Sequence, residues 1–197
     1  MNCTAFLSYV FLTLYTPGPN TIMSMTNAAK YGFRKSFPFT LGVFLGFFTM
    51  MLASAAFSSL LYRVIPAIKP VMLVIGAAYI MWLAWKVWRD KPRTSKRGPV
   101  ETNTFASGLL LQFVNVKVML FGITAMSSFV RPHFENPLIL AAFALFTTFV
   151  GFSANISWGL FGAAFERLFK RHGRVLHGVM ALLLVYTAVT MLLDLRG

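Results

Sequence analysis

The sequence predicts an all-α integral membrane protein: six transmembrane helices arranged as two inverted three-helix repeats, with helix 1 broken at Pro17-Gly18-Pro19. Three observations predict this. Six long stretches carry almost no charge. The two halves of the chain show a weak internal similarity at a fixed shift. Pro17-Gly18-Pro19-Asn20 falls inside the first stretch, where residues 1–29 have no charged side chain. A composition that is 57% hydrophobic and a mean hydropathy of +0.70 are too apolar for an ordinary soluble domain.

The spans follow from the uncharged runs. The first covers 4–29 and is interrupted at Pro17. Pro19 cannot donate a backbone hydrogen bond, and its ring clashes with the preceding turn. Irregular backbone at membrane depth survives only when buried in protein or lining a watery cavity, so the break points to a transport site. The plainer reading is a kink that only shapes packing. The second span covers 37–61, between Lys35 and Arg63, and the third 68–88, with Trp82, Trp85 and Trp88 forming an interfacial belt before Arg89. The fourth covers 105–130 and contains one charge, Lys117; the fifth covers 137–164 and the sixth 174–194. Residues 1–88 and 105–197 form the two halves of a single transporter domain over 1–197, and the polar stretch 89–104, with Pro92 and Pro99, reads as a cytoplasmic linker. Met1-Asn2-Cys3-Thr4 lacks a basic leader region, so the first stretch reads as retained.

The net charge of +13 would suggest nucleic acid in a soluble chain. Here the basic residues flank apolar spans, so positive-inside sorting explains them with no nucleic acid, and they favour contact with membrane lipid. The loops after the first, third and fifth spans hold thirteen Lys and Arg, against four on the opposite side, Arg63, Lys69, Arg131 and Arg196. Both termini are therefore expected outside the cytoplasm, which makes the protein multi-pass in the plasma membrane. Cys3 is the only cysteine, so no intrachain disulfide or CxxC pair can form.

Shifting the chain by 99 residues lays Phe6 on Phe105, Leu12 on Leu111, Pro38 on Pro137 and Ser54-Ala55 on Ser153-Ala154. Three helices per half is an odd number, so the halves run in opposite directions through the membrane. The same shift sets Thr16-Pro17-Gly18 opposite Asn115-Val116-Lys117, about ten residues into each span. Two elements entering from opposite faces to that depth meet near the midplane.

These residues suit a small anion. After Pro19 a half-helix restarts, and its free N–H groups and positive dipole end attract a carboxylate. Asn20 adds an amide. Lys117 is the only ionisable residue deep in any span, and Asp90, Glu101, Glu135, Glu166 and Asp194 all lie near loops or span ends. The counter-ion of Lys117 is then either a substrate carboxylate or nothing, the second case being a snorkelling lysine. As the sole deep group able to exchange a proton, Lys117 is also the candidate for coupling. Gln112 and Asn115 share a helical face, which Lys117 joins only if the helix is disturbed nearby. Such amides serve substrate binding or interhelical packing, and Asn155, between Ser153 and Ser157, is in the same position. Tyr79 either caps a cavity or packs. His133, His172 and His177, near span ends, read as solvated. No nucleophile–base set, metal-ligand cluster or phosphate-cradling loop is present, so the expectation is neither an enzyme nor a cofactor protein.

At these residues the chain resembles the LysE/RhtB family of amino-acid exporters over essentially its whole length. The resemblance lies in Thr16-Pro17-Gly18-Pro19-Asn20, Gly32-Phe33-Arg34, Gly76-Ala77-Ala78-Tyr79 and Leu111-Gln112-Phe113-Val114-Asn115-Val116-Lys117. The commoner family pattern in helix 4 is Asn-Pro-Lys; Val116 stands in its middle here, which weakens the case for a break like that of helix 1. Gln112 to Lys117 and the Leu182-Leu183-Leu184-Val185-Tyr186 ending are similar to the cysteine/O-acetylserine branch. The resemblance implies export of small neutral amino acids such as these from a bacterial cytoplasm, driven by the proton gradient. The residues themselves give the candidate substrate site: Pro17, Gly18, Pro19, Asn20, Gln112, Asn115, Lys117 and Asn155. A homo-oligomer is compatible with the resemblance. Two other readings stand beside it: a cation or metal exporter of related six-helix plan, which lacks embedded ligands, and a membrane scaffold that moves nothing.

Overall fold

Two prolines set the backbone at the start of the chain. In the computed structural model, which describes residues 1–89 and 102–193, α1 runs Cys3–Tyr15, capped by the Asn2 side chain accepting from the Ala5 N–H at 3.0 Å. Thr16 then turns extended at φ −62° and ψ 134°, as a residue before proline must. Gly18, before the next proline, is also extended, at φ −164° and ψ −177°. Pro19 occupies the first position of α2, Pro19–Tyr31, where its missing donor is no loss. Gly32, at φ +82°, makes the one-residue corner into α3, Phe33–Ala56, a conformation other residues adopt only with strain.

The remaining helices are α4, Ser58–Arg89; α5, Phe105–Val114; α6, Val116–Ile123, which continues as a wider π-helical stretch over Thr124–Val130; α7, Pro137–Ala164; and α8, Glu166–Leu193. Among the described residues there is no strand. The expected second span begins four residues early, because Gly32 lets Arg34 and Lys35 ride on the first turn of α3. It also ends early, at Ala56, and α4 starts at Ser58 rather than 68. The fourth span is not one helix: α5 and the α6 unit meet at a bend of 62° with only Asn115 between them. Thr16 and Asn115, opposite each other at the 99-residue shift, are the C-caps of α1 and α5, and both are extended.

Among the described residues, three helices are long and apolar enough to cross a membrane, Phe33–Ala56, Pro70–Arg89 and Pro137–Ala164, and a fourth span results if the bent pair counts as one. The apolar parts of the first and last elements, Cys3–Tyr15 and His177–Thr190, are shorter. α2 is only 13 residues long, is rich in buried polar residues, among them Asn20, Thr21, Ser24, Thr26 and Asn27, and packs against α3, α7 and α8. The linker residues 90–101, together with Asp194, Arg196 and Gly197, lie outside the described residues.

Helix crossings are close where glycine allows it. A Cβ on Gly42 would sit 2.0 Å from the Phe105 carbonyl, and one on Gly108 2.1 Å from that of Phe39, so α3 and α5 touch backbone to backbone. Gly162 meets the Met25 carbonyl in the same way, at 2.2 Å, and joins α7 to α2. One apolar core, around Ile22, Leu73, Leu83 and Leu184, fills the space between α2, α4 and α8. A second, around Phe6, Val10, Phe47, Met51, Phe121 and Leu140, joins α1, α3, α6 and α7. Large apolar side chains such as Leu12, Trp88, Leu138 and Tyr186 face outward, the surface a bilayer covers. Lys86 Nζ lies 3.9 Å over the Trp82 ring and the Arg89 guanidinium 4.8 Å over that of Trp85. His177, expected to be solvated, is buried on α8 at 7% exposure. Tyr79 packs against the first core, its ring 5.4 Å from Trp82.

Candidate functional site

Both half-helix starts, through Pro19 in one and through Asn115 and Lys117 in the other, border one cleft of about 390 Å³, its open mouth included. Its walls come from α1 (Thr13, Leu14), the break (Thr16, Gly18), α2 (Pro19, Asn20, Thr21), α3 (Phe47), the second break and α6 (Asn115, Lys117, Val118, Phe121) and α7 (Gly151, Asn155). Of the residues expected to form a site, Gly18, Pro19, Asn20, Asn115, Lys117 and Asn155 therefore come together. Gln112 stands behind them, fully buried. Pro17 is exposed and does not line the cleft.

Lys117 is tied to the first break. Its Nζ donates to the Thr16 carbonyl at 2.9 Å, and a Cβ on Gly18 would lie 3.3 Å from its Cδ and Nζ. The cation thus rests on the break, beside the C-terminal end of α1, where carbonyls are otherwise unpaired and the dipole is negative. The neighbouring carbonyl, that of Tyr15, accepts from Trp158 Nε1 at 3.2 Å, and the Tyr15 hydroxyl lies 2.9 Å from Ser153 Oγ. Thr16 Oγ1 bonds back to the Leu12 carbonyl. The broken end of α1 is in this way satisfied by side chains of α6 and α7.

Three amides connect the two breaks. Asn20 Nδ2 donates to Gln112 Oε1 at 2.8 Å, Gln112 Nε2 to Asn20 Oδ1 at 3.1 Å, and Asn115 Nδ2 to Asn20 Oδ1 at 2.9 Å. Asn155 is held differently: its Oδ1 accepts from Ser24 Oγ at 3.1 Å, and its Nδ2 donates to the Gly151 carbonyl at 2.8 Å. It pins α2 to α7 and presents an edge to the cleft. Thr21 Oγ1 accepts the Gly18 N–H at 2.9 Å and closes the first turn of α2.

In α2 the first free backbone donors belong to Asn20 and Thr21, since Pro19 has none; in α6 they belong to Val116 and Lys117. Two positive helix ends and one ammonium converge on a small cleft, a pattern suited to an anionic group. Thr13, Thr21 and Gly151 escaped the sequence reading, and Thr16 was placed at the break but not in the site. Thr16 had a signal, its place directly before Pro17; Gly151 had none.

The profile of the LysE type translocator family matches residues 11–195. The chain belongs to the LysE type translocator family. Among curated relatives of this translocator, a cysteine/O-acetylserine efflux protein of Klebsiella pneumoniae subsp. pneumoniae is 41% identical over 191 residues, covering 97% of both chains. Proteins of the same description from Escherichia coli and Shigella sonnei are 40% identical over 186 residues, covering 94% of this translocator and 95% of the relative. No solved structure is significantly similar to it.

Proposed function

We propose that this translocator is a secondary active exporter of small neutral amino acids, cysteine and O-acetylserine above all, across the bacterial inner membrane. Its relatives are described as efflux proteins for these two compounds. The observation that carries the reading is Lys117 resting on the Gly18 break between two half-helix N-termini. An ammonium has three donors. One goes to Thr16, and the others are available to a cargo carboxylate.

The broken elements support alternating access. Substrates of inverted-repeat transporters lie near the midplane, where half-helix ends meet, and the surrounding bodies rock around them. Six spans follow from the uncharged runs, and both termini outside the cytoplasm from the distribution of Lys and Arg. We further propose proton antiport with Lys117 as the coupling group, because it is the only titratable side chain lining the cleft among the described residues. Pro17 acts by setting the backbone of the break, not by touching cargo. The test is efflux from vesicles reconstituted with the purified protein and loaded with labelled O-acetylserine or cysteine. Export accelerated by an inward proton gradient is expected; a rate equal to that of protein-free vesicles would refute the reading.

A further inference from the structure

The amide network has a polarity, and a single backbone group dictates it. The Gly108 carbonyl can only accept, so the Gln112 atom 3.0 Å away must be its Nε2. Gln112 Oε1 then faces Asn20 and takes the Asn20 Nδ2 hydrogen. Asn20 Oδ1 is thereby turned towards both Gln112 Nε2 and Asn115 Nδ2. Reversing the Asn115 amide would set two oxygens against each other. The end of the relay is therefore fixed: Asn115 keeps its oxygen for something else.

That oxygen has no partner within the protein although it is buried, and Asn115 as a whole is only 2% exposed. A buried acceptor left unpaired is unfavourable, so such groups await a donor. Asn115 lines the cleft together with Lys117, Gly18 and Asn20. The Thr16 and Tyr15 carbonyls at the negative end of α1 are already taken by Lys117 and Trp158, while the two half-helix N-termini and Lys117 attract negative charge. A cargo carrying both charges on one carbon needs a neutral acceptor placed next to the anion site. Asn115, the cap of the helix whose second residue is Lys117, meets that need.

We infer that Asn115 Oδ1 receives the α-ammonium group of the cargo, and that the relay from Gly108 through Gln112 and Asn20 holds it in the accepting orientation. The site thereby selects α-amino acids over their α-hydroxy analogues. This inference rests on the amino-acid export reading.

The test is counterflow of labelled O-acetylserine in vesicles carrying the full-length protein, inhibited by L-serine or by glycerate, its α-hydroxy analogue. Wild-type protein is expected to favour serine by roughly tenfold or more, the effect of one hydrogen bond to a charged group. In Asn115→Ala the ratio should fall towards one, while residual inhibition by both compounds persists. Asn20→Ala removes the acceptor that orients the Asn115 amide and should lower the ratio as well; it carries the test if Asn115→Ala fails to insert. A serine preference undiminished in Asn115→Ala, or in Asn20→Ala, would overturn the assignment. Equal inhibition of the wild type by both compounds would mean that the oxygen holds only water. Absence of any wild-type counterflow would instead overturn the export reading itself.

Discussion

Lys117 Nζ and the Thr16 carbonyl, 101 positions apart in sequence, meet at 2.9 Å. The lysine of one broken helix thus supports the broken end of the other. Two consequences follow for its replacement. Removing the ammonium leaves the Thr16 carbonyl without its donor, and it takes away the cation of the cleft.

Lys117→Met is therefore expected to insert and fold but to lose at least about tenfold in cargo affinity, since hydrogen bonds to charged groups are the stronger class. Lys117→Arg should also be impaired, because a planar guanidinium does not fit where a Cβ on Gly18 would already crowd the side chain at 3.3 Å. Efflux and cargo-driven proton movement, measured together in vesicles, separate binding from coupling. Loss of coupling with exchange preserved identifies Lys117 as the relay. Wild-type values for both would leave it a structural donor to Thr16.

Replacing Pro17, Gly18 and Pro19 together by alanine should let α1 run on into α2. Nothing would then force Thr16 or residue 18 out of helical geometry. Export should cease while membrane insertion persists. Undiminished efflux from this variant would reduce the break to a packing device.

Gly108→Ala is predicted to destabilise the fold by about 1–3 kcal/mol, the usual effect of overpacking. The added Cβ would stand 2.1 Å from a backbone oxygen that has no side-chain freedom with which to yield. Thermal unfolding in detergent reads this directly. An unchanged midpoint would show that the α3–α5 crossing has room for a methyl group.

A reporter fused after Gly197 should be accessible from the periplasm, as the thirteen-to-four division of basic residues requires. Cytoplasmic accessibility in an exporting fusion would reverse the orientation.

The legible part of the site was the part written in residue types with strong backbone preferences or strong charge. Pro17, Gly18 and Pro19 announced the first break, and Lys117 stood out as a charge among apolar residues. The second break was not legible, because Val116 is no helix breaker; there the chain bends at Asn115, whose side chain bonds Asn20 across the cleft rather than capping its own helix. Helix limits were misread for a related reason. Uncharged runs mark what lipid tolerates, whereas helices extend as far as backbone geometry allows. Arg34 and Lys35 thus belong to α3, and α4 and α8 each begin well before their apolar portions. His177 was misplaced because burial in the folded chain leaves no mark in local sequence.

The glycine seams bear on what can move. Gly42 and Gly108 lock α3, from the amino-terminal half of the chain, to α5, from the carboxy-terminal half; Gly162 and Met25 do the same for α7 and α2. Surfaces interlocked backbone to backbone do not slide; they travel together. The two halves of the chain are therefore stitched together at these crossings, and either half synthesised alone would present an unfilled seam.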